Sequence, residues 1–336
     1  MLVDPDALTA YAGERLPGEG PLDVERLSAG HSNLTFVVRR GDHEWILRRP
    51  PQGPLLPTAH DVIREYRVLD LLARSGCGVR VPTVTLACDD PAVIGAPFYL
   101  MERVDGEVIR TELPDWASED VRRTIGFELV DALAELHSAP VEPFVEAGLG
   151  KPSGYLERQL RRWRGQREGA ETRELPDYDV LSAWLEENLP MQAGTSLVHG
   201  DYKLDNVAMS PSGPRLTAIL DWEMATVGDP MADLGYLMSF WIEPGERDEF
   251  SEVAGNVTTQ PGFPTRAEMV ERYAARSGRD VSDLRAYVVL AIWKLAILLE
   301  GSYSRHLAGT TDDPFFALLD RGVPALLARA RTVAGA

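Results

Sequence analysis

Over the first hundred residues, apolar and polar positions mostly follow a strand rhythm. Leu34 to Arg39 and Glu44 to Arg48 are short β-rich runs on either side of Gly41-Asp42, a spacing that predicts a hairpin. Pro50 and Pro51 end the second strand, because proline cannot donate to a ladder. The period then changes. Val62, Tyr66, Leu69 and Leu72 recur at three and four residues, predicting a helix from an N-cap at Thr58 to a C′ glycine at Gly76. Glu65 falls beside that stripe, where its carboxylate either meets a cation or skirts the apolar face to reach water. Two more strands are predicted at Thr83 to Ala87 and Pro97 to Met101.

After Glu102-Arg103-Val104-Asp105-Gly106 the rhythm becomes helical. Segments are expected at Ser118–His137, Tyr155–Arg164, Tyr178–Asn188, Pro230–Trp241, Thr265–Ser277, Val281–Arg305 and Pro314–Thr332. The pattern describes an α+β protein with a small β-rich lobe over residues 1–102 and a larger, mainly helical lobe over residues 103–336, hinged near Glu102.

Composition narrows the function classes. The 336 residues carry a formal net charge of −18, which repels phosphate backbones and anionic lipid, so neither a nucleic acid nor a membrane surface is an expected partner. Cys77 and Cys88 form no disulfide framework, and the six histidines fall into no zinc spacing. Met1 to Ala12 lacks the basic and apolar regions of a secretory leader. The longest apolar stretch, Tyr287 to Leu299, is interrupted by Lys294 and is too short to span a bilayer. A cytoplasmic location is expected. Only three of the 34 basic residues are lysine (Lys151, Lys203 and Lys294), so the first lobe has none.

The chemistry concentrates in Ser196-Leu-Val-His-Gly-Asp-Tyr-Lys-Leu-Asp-Asn-Val-Ala-Met-Ser and in Arg215-Leu-Thr-Ala-Ile-Leu-Asp-Trp-Glu. Strands at Val207–Met209 and Leu216–Leu220 flank a Ser-Pro-Ser-Gly-Pro turn. A turn centred at Ser212-Gly213 puts Asn206 opposite Ile219 and Asp221 about 7 Å further along, so Asp201, Asn206 and Asp221 converge at one end of a ribbon. Hard oxygen donors gathered in this way suit Mg²⁺ when substrate phosphates complete the shell. The same residue types also cap turns without binding anything.

These motifs resemble the aminoglycoside phosphotransferase family and its protein-kinase-like relatives. His199-Gly200-Asp201 with Asn206 is similar to their catalytic loop, and Ile219-Leu220-Asp221-Trp222-Glu223 to their metal-binding segment. Gly228-Asp229-Pro230 with Asp233-Leu234-Gly235 is similar to the helix start that follows. The resemblance covers about Leu27 to Phe240 and implies ATP and Mg²⁺ as cofactors, with transfer of a phosphoryl group to a small-molecule hydroxyl. It assigns Asp201 to the acceptor hydroxyl, Asn206 and Asp221 to the metal, and Lys203 to the charge of the moving phosphoryl group. His199 would brace the loop, Asp229 would cap the helix and Asp233 would anchor the loop. Relatives also carry a lysine on the third strand, paired with a helix glutamate. Here Arg48 stands at that position and Glu65 matches the glutamate, while Arg49 points to the opposite face. Ser28-Ala-Gly-His-Ser-Asn33 lies where a phosphate-covering loop belongs, which implicates Gly30, Ser32 and Asn33. By analogy, the backbone around Met101, Glu102 and Val104 would receive the adenine.

The run Leu47-Arg-Arg-Pro-Pro-Gln-Gly-Pro-Leu-Leu-Pro-Thr-Ala-His60 is similar to the kinase-like domains fused to certain acyl-CoA dehydrogenases, which act on hydroxyacyl substrates; no dehydrogenase-like stretch follows before Ala336. The acceptor expected is a hydroxyacyl compound or an aminoglycoside-type alcohol. Two other classes compete. A non-catalytic kinase-like binding module is suggested by the missing lysine. A two-metal phosphohydrolase is disfavoured by the lack of further His and Asn-His clusters.

Overall fold

A computed structural model describes residues 2–27, 33–52, 60–169, 172–246, 257–309 and 314–336. The expected change of rhythm is the main architectural divide. Strands β1 (Asp23–Leu27), β2 (Leu34–Arg40), β3 (His43–Arg49), β4 (Val84–Cys88) and β5 (Phe98–Glu102) form one antiparallel sheet in the order β1-β2-β3-β5-β4. The β2–β3 hairpin turns through Gly41-Asp42, with Arg40 paired to His43 and Gly41 at a φ of 57°.

Two elements before β2 carry no strong pattern in the sequence: helix α1 (Pro5–Ala12), capped by the Asp4 side chain, and the edge strand β1. Alternation divides the sheet's two faces. Phe36, Val38, Trp45, Leu47, Phe98 and Leu100 pack with Leu8 and Ala12 of α1. On the other face, Tyr99 and Met101 join Val62, Val68, Leu69 and Leu72 of helix α2 (Val62–Ser75), which belong to the larger core. Thr58, the expected N-cap of α2, lies outside the described residues. The described helix is capped by Asp61, whose carboxylate accepts the Arg64 N–H at 2.9 Å, and Gly76 closes it in the left-handed region.

The rest of the chain is mainly helical: α3 (Glu119–Leu136), α4 (Glu142–Glu146), α5 (Tyr155–Glu168), α6 (Pro176–Asn188), α7 (Pro230–Phe240), α8 (Arg266–Ser277), α9 (Leu284–Leu307) and α10 (Leu319–Ala334). Two small ribbons lie within this helical part, against Glu119–Leu136 and its neighbours. One pairs β6 (Ser196–Val198) with β9 (Thr226–Gly228), and the other pairs β7 (Val207–Met209) with β8 (Leu216–Ile219). The second differs from expectation by one residue. The register slips between Ala208 and Met209, so Val207 faces Ile219 and the Asn206 carbonyl accepts the Leu220 N–H at 2.8 Å. A bulge of this kind adds a residue to one strand and changes its twist. Asp221 therefore lies one residue beyond the position opposite Asn206, nearer to it than the unbulged ribbon predicts. No described helix is long and apolar enough to cross a membrane.

Candidate active site

The loop after β6 is held from behind. Asp233, in the first turn of α7, accepts the His199 and Gly200 backbone N–H groups at 2.6 and 2.8 Å. Its carboxylate also meets His137 Nε2 at 3.3 Å, and the other ring nitrogen of that histidine meets the Tyr273 hydroxyl at 2.7 Å. Burial pulls His137 below its ordinary pKa. It would push Asp233 up, but His137 and the amide donors outweigh that and hold Asp233 below the usual carboxylate range. Gly200 is required where it is: at a φ of 84°, a Cβ would stand 2.8 Å from the Met224 carbonyl oxygen. Asp229 accepts the Met231 and Ala193 amides and the Tyr287 hydroxyl, fixing the helix start. His199 Nε2 donates to the Leu220 carbonyl at 2.8 Å, while its Nδ1 receives the Asp201 N–H at 3.3 Å. It braces one loop against the next.

This bracing carries Asp201 into the space between the lobes. Asn206 Nδ2 donates both to the Asp201 carbonyl, at 2.8 Å, and to its carboxylate, at 2.6 Å. The Asn206 Oδ1 is left with no partner among the described residues. Lys203 Nζ stands 3.7 Å from Asp201 and 3.4 Å from Asp205, over the Phe240 ring at 4.9 Å. Burial would lower the Lys203 pKa, but the two carboxylates overcome it and raise it.

Across the cleft, Arg48 bridges two carboxylates from different segments. Its guanidinium lies 3.0 Å from Glu65 and 2.9 Å from Asp221. Glu65 is 1% exposed, which decides between the two readings of its helical position: it meets a cation and does not reach water. It also accepts the Trp222 N–H at 3.2 Å. Burial pushes the Glu65 carboxyl up to about 7 against the pull of Arg48, and Asp221 adds to the rise. Burial acts on Asp221 in the same direction, but Arg48 overcomes it and holds Asp221 low. Arg49 occupies the opposite sheet face, bonding to the Leu2, Pro50 and Ile94 carbonyls.

The donor set fits a hard cation. The Asn206 amide oxygen and the second Asp221 carboxylate oxygen remain for coordination beside Asp201, and Mg²⁺ needs only one or two carboxylates when phosphates supply other ligands.

Of the residues expected at the phosphate-covering loop, Gly30 and Ser32 lie outside the described residues. Asn33 is 4% exposed, and its amide donates to Glu223 at 3.0 Å, just past Asp221. At the hinge, Met101 is buried against the main core. The Glu102 N–H is committed to the Thr83 carbonyl at 2.8 Å, so it is not offered to a base, whereas the Val104 N–H has no partner among the described residues.

Three site neighbours escaped the sequence reading as site residues: His137, Tyr236 and Lys294. No motif marks the first two. Lys294 gave a signal in being a charge inside an apolar helix. The Tyr236 phenol faces Asp201, and burial, with that carboxylate behind it, pushes its pKa well up.

The sequence model of the phosphotransferase enzyme family matches residues 23–286. Acyl-CoA dehydrogenase family member 11 from Homo sapiens is 34% identical over 322 residues, covering 93% of this chain and 41% of that protein. Family member 10 from Mus musculus is 34% identical over 312 residues, covering 92% of this chain and 29% of that protein. The chain thus spans about two fifths or less of the length of these relatives. A Ralstonia eutropha crystal structure, assigned as an aminoglycoside phosphotransferase, superposes with a TM-score of 0.82 at 34% identity, covering 99% of this chain and 98% of that one. An aminoglycoside 2′-phosphotransferase-IIIa solved with GDP shares the fold at 18% identity, with a TM-score of 0.62 and 97% of each chain covered. On this evidence the chain belongs to the phosphotransferase enzyme family and has its two-lobed, protein-kinase-like fold.

Proposed function

We propose that this protein transfers the γ-phosphoryl group of ATP to a hydroxyl of a small molecule. The observation that carries the reading is convergence from four separate segments: Arg48 joins Glu65 to Asp221, and the Asp201–Asn206 pair is tied to the Asp221 segment through the Asn206 carbonyl and the Leu220 N–H. In this reading residues 1–102 form the nucleotide lobe and residues 103–336 the catalytic and acceptor lobe, and the protein works in the cytoplasm. The Val104 N–H receives the base at the hinge. Arg48 grips the phosphates with a planar, permanently charged fork, releasing Asp221 as it does so. Asp221 and Asn206 hold Mg²⁺, which when bound neutralises the phosphates and aligns them. Asp201 accepts a hydrogen bond from the acceptor hydroxyl and takes its proton. As the new bond from acceptor oxygen to phosphorus forms, the bond from phosphorus to the β–γ bridging oxygen breaks. ADP leaves, with Lys203 facing the charge in motion.

The acceptor is a hydroxyacyl compound or an aminoglycoside-type alcohol. The relatives named as acyl-CoA dehydrogenases favour the former. A second reading, a non-catalytic nucleotide- or metabolite-binding module, is favoured by one observation: Arg48 replaces the usual lysine and already occupies Asp221.

Thermal unfolding with Mg²⁺ alone, Mg²⁺–ATP and Mg²⁺–GTP tests the site, since a ligand at a hundred times its Kd adds about 2.7 kcal/mol. A nucleotide-specific rise, lost in Asp221→Asn, is expected. Asp201→Asn should keep that rise while transfer falls by about 10³-fold. Transfer at the wild-type rate in Asp201→Asn refutes the mechanism, and a rise with no transfer to any hydroxyl compound leaves the binding module.

A further inference from the structure

The Glu65 carboxylate is held through one oxygen only. Both of its bonds, from the Arg48 guanidinium at 3.0 Å and from the Trp222 N–H at 3.2 Å, fall on Oε1, and Oε2 has no partner among the described residues. Two more polar atoms beside it share that state. Tyr99 stands opposite Arg48 in the β3–β5 register, and neither the Tyr99 hydroxyl nor Arg48 Nε has a hydrogen-bond partner among the described residues. Bulk water does not reach them: Tyr99 is 0%, Glu65 1% and Arg48 8% exposed. A buried polar atom left unmatched is costly, and three in one cluster ask for a state of the protein in which they are used.

Their chemistry is complementary. Oε2 only accepts, Nε only donates, and a phenol hydroxyl does both. The phenol adjoins the carboxylate: burial pushes the Tyr99 pKa well up, and the charge of Glu65 adds to the rise. Tyr66, the next residue on α2, packs its ring 6.2 Å from that of Tyr99 and limits where the phenol can go. Packing alone does not call for the hydroxyl. Tyr99 sits in the main apolar core with Val68, Leu69 and Met101, where phenylalanine would fill the same space and bury no unmatched oxygen.

We propose that Tyr99 is a positioning residue of the phosphate grip: with nucleotide bound, its hydroxyl donates to Glu65 Oε2. The proposal rests on the reading of Arg48 as the cation that leaves Asp221 for the phosphates. In making that exchange Arg48 gives up one of its two carboxylates, and Glu65 alone then sets its direction. A carboxylate bonded through a single oxygen pivots about that contact. Bonded through both, it keeps Oε1 turned to Arg48 and the guanidinium aimed at the phosphate chain.

Tyr99→Phe removes the hydroxyl and keeps the ring. Affinities for Mg²⁺–ATP and for adenosine are measured on the full chain by displacement of a fluorescent ATP analogue. Adenosine offers no phosphate to Arg48, so the ratio of the two affinities reports the grip separately from the base site. Tyr99→Phe is expected to weaken Mg²⁺–ATP about tenfold and to leave adenosine within about twofold of wild type. In a Glu65→Met background, where Oε2 is gone, the same change should alter Mg²⁺–ATP affinity by no more than about twofold. An unchanged ratio in Tyr99→Phe overturns the assignment, as does a tenfold loss that persists in the Glu65→Met background. Equal weakening of both ligands, with a lowered melting midpoint in the absence of nucleotide, marks a purely structural role and overturns it too. Each of these leaves the kinase reading standing. A wild-type protein that holds Mg²⁺–ATP no better than adenosine overturns Arg48 as the phosphate grip, and this proposal with it.

Discussion

The two walls of the cleft are held together by opposite means. On the helical side, the Asp201 loop is fixed by backbone hydrogen bonds: Asp233 takes two amides, His199 ties into the Leu220 carbonyl, and Asp229 closes the helix start behind them. On the sheet side, Arg48, Glu65 and Asp221 are joined mainly as charges on side chains. Two buried atoms of that group, Arg48 Nε and Glu65 Oε2, have no hydrogen-bond partner among the described residues. The first arrangement is saturated and therefore stiff. The second leaves donor and acceptor capacity open, which an incoming phosphate chain would take up as it replaced a carboxylate at Arg48. The proposed transfer needs both, a base that does not wander and a cation that can change partners.

Removing the keystone of the stiff side should do the most damage. Asp233→Ala leaves two buried amides and His137 without their acceptor, a loss expected to cost about 3–5 kcal/mol. A urea midpoint within error of wild type would show that the loop holds itself. On the adaptable side, Arg48→Met should be milder for folding, because Glu65 can take up a proton once its cation is gone. Nucleotide affinity should still fall about 10- to 100-fold, measured as the shift in the thermal midpoint against ATP concentration.

A smaller effect separates the two walls by pH. A carboxyl whose pKa is raised by folding stabilises the native state only while protonated. The contribution of Glu65 is therefore complete below about pH 4.5 and is lost as pH rises through about 7. Wild-type stability should accordingly decline relative to Glu65→Gln between pH 5 and 8, and a constant difference between the two melting curves would mean that Glu65 stays ionised throughout. The least effect is expected from Asn33→Ala, which removes one hydrogen bond to Glu223, worth about 1 kcal/mol, and leaves the Arg48 bridge intact.

The two walls were also unequally legible. The loop was readable because its chemistry is compressed into short spacings: Asp201 to Asn206 is five residues, and Asp221 to Asp233 spans one turn and a helix start. The helical period placed the Glu65 carboxylate beside an apolar face, and the family resemblance supplied Arg48 as its partner, but the bridge from Arg48 to Asp221 joins residues 173 apart in sequence, and no local pattern encodes it. Local spacing also missed the bulge in β8, since an extra residue in a strand leaves no compositional mark. Helix α1 and strand β1 went unread for a different reason. Their burial pattern is set by the sheet they cover and the strand they pair with, not by a strong period of their own. Lys294 is the instructive middle case. The sequence displayed a charge within an apolar helix, but only the fold shows which carbonyl and which two rings surround it.

Asp221 enters the site with a φ of 62° and a ψ of 65°. For a residue other than glycine this conformation carries a strain of about 1–2 kcal/mol, less for aspartate than for most. Evolutionary pressure on the position is thus divided. Glycine there would relax the backbone but would remove the carboxylate that pairs with the buried Arg48 at 2.9 Å, and with it the proposed metal ligand, so the strain is held in place by an ion pair whose loss costs more. Libraries built to harden the protein should hold position 221 fixed, and a thermal screen is expected to discard glycine there, because the pair it breaks outweighs the strain it relieves.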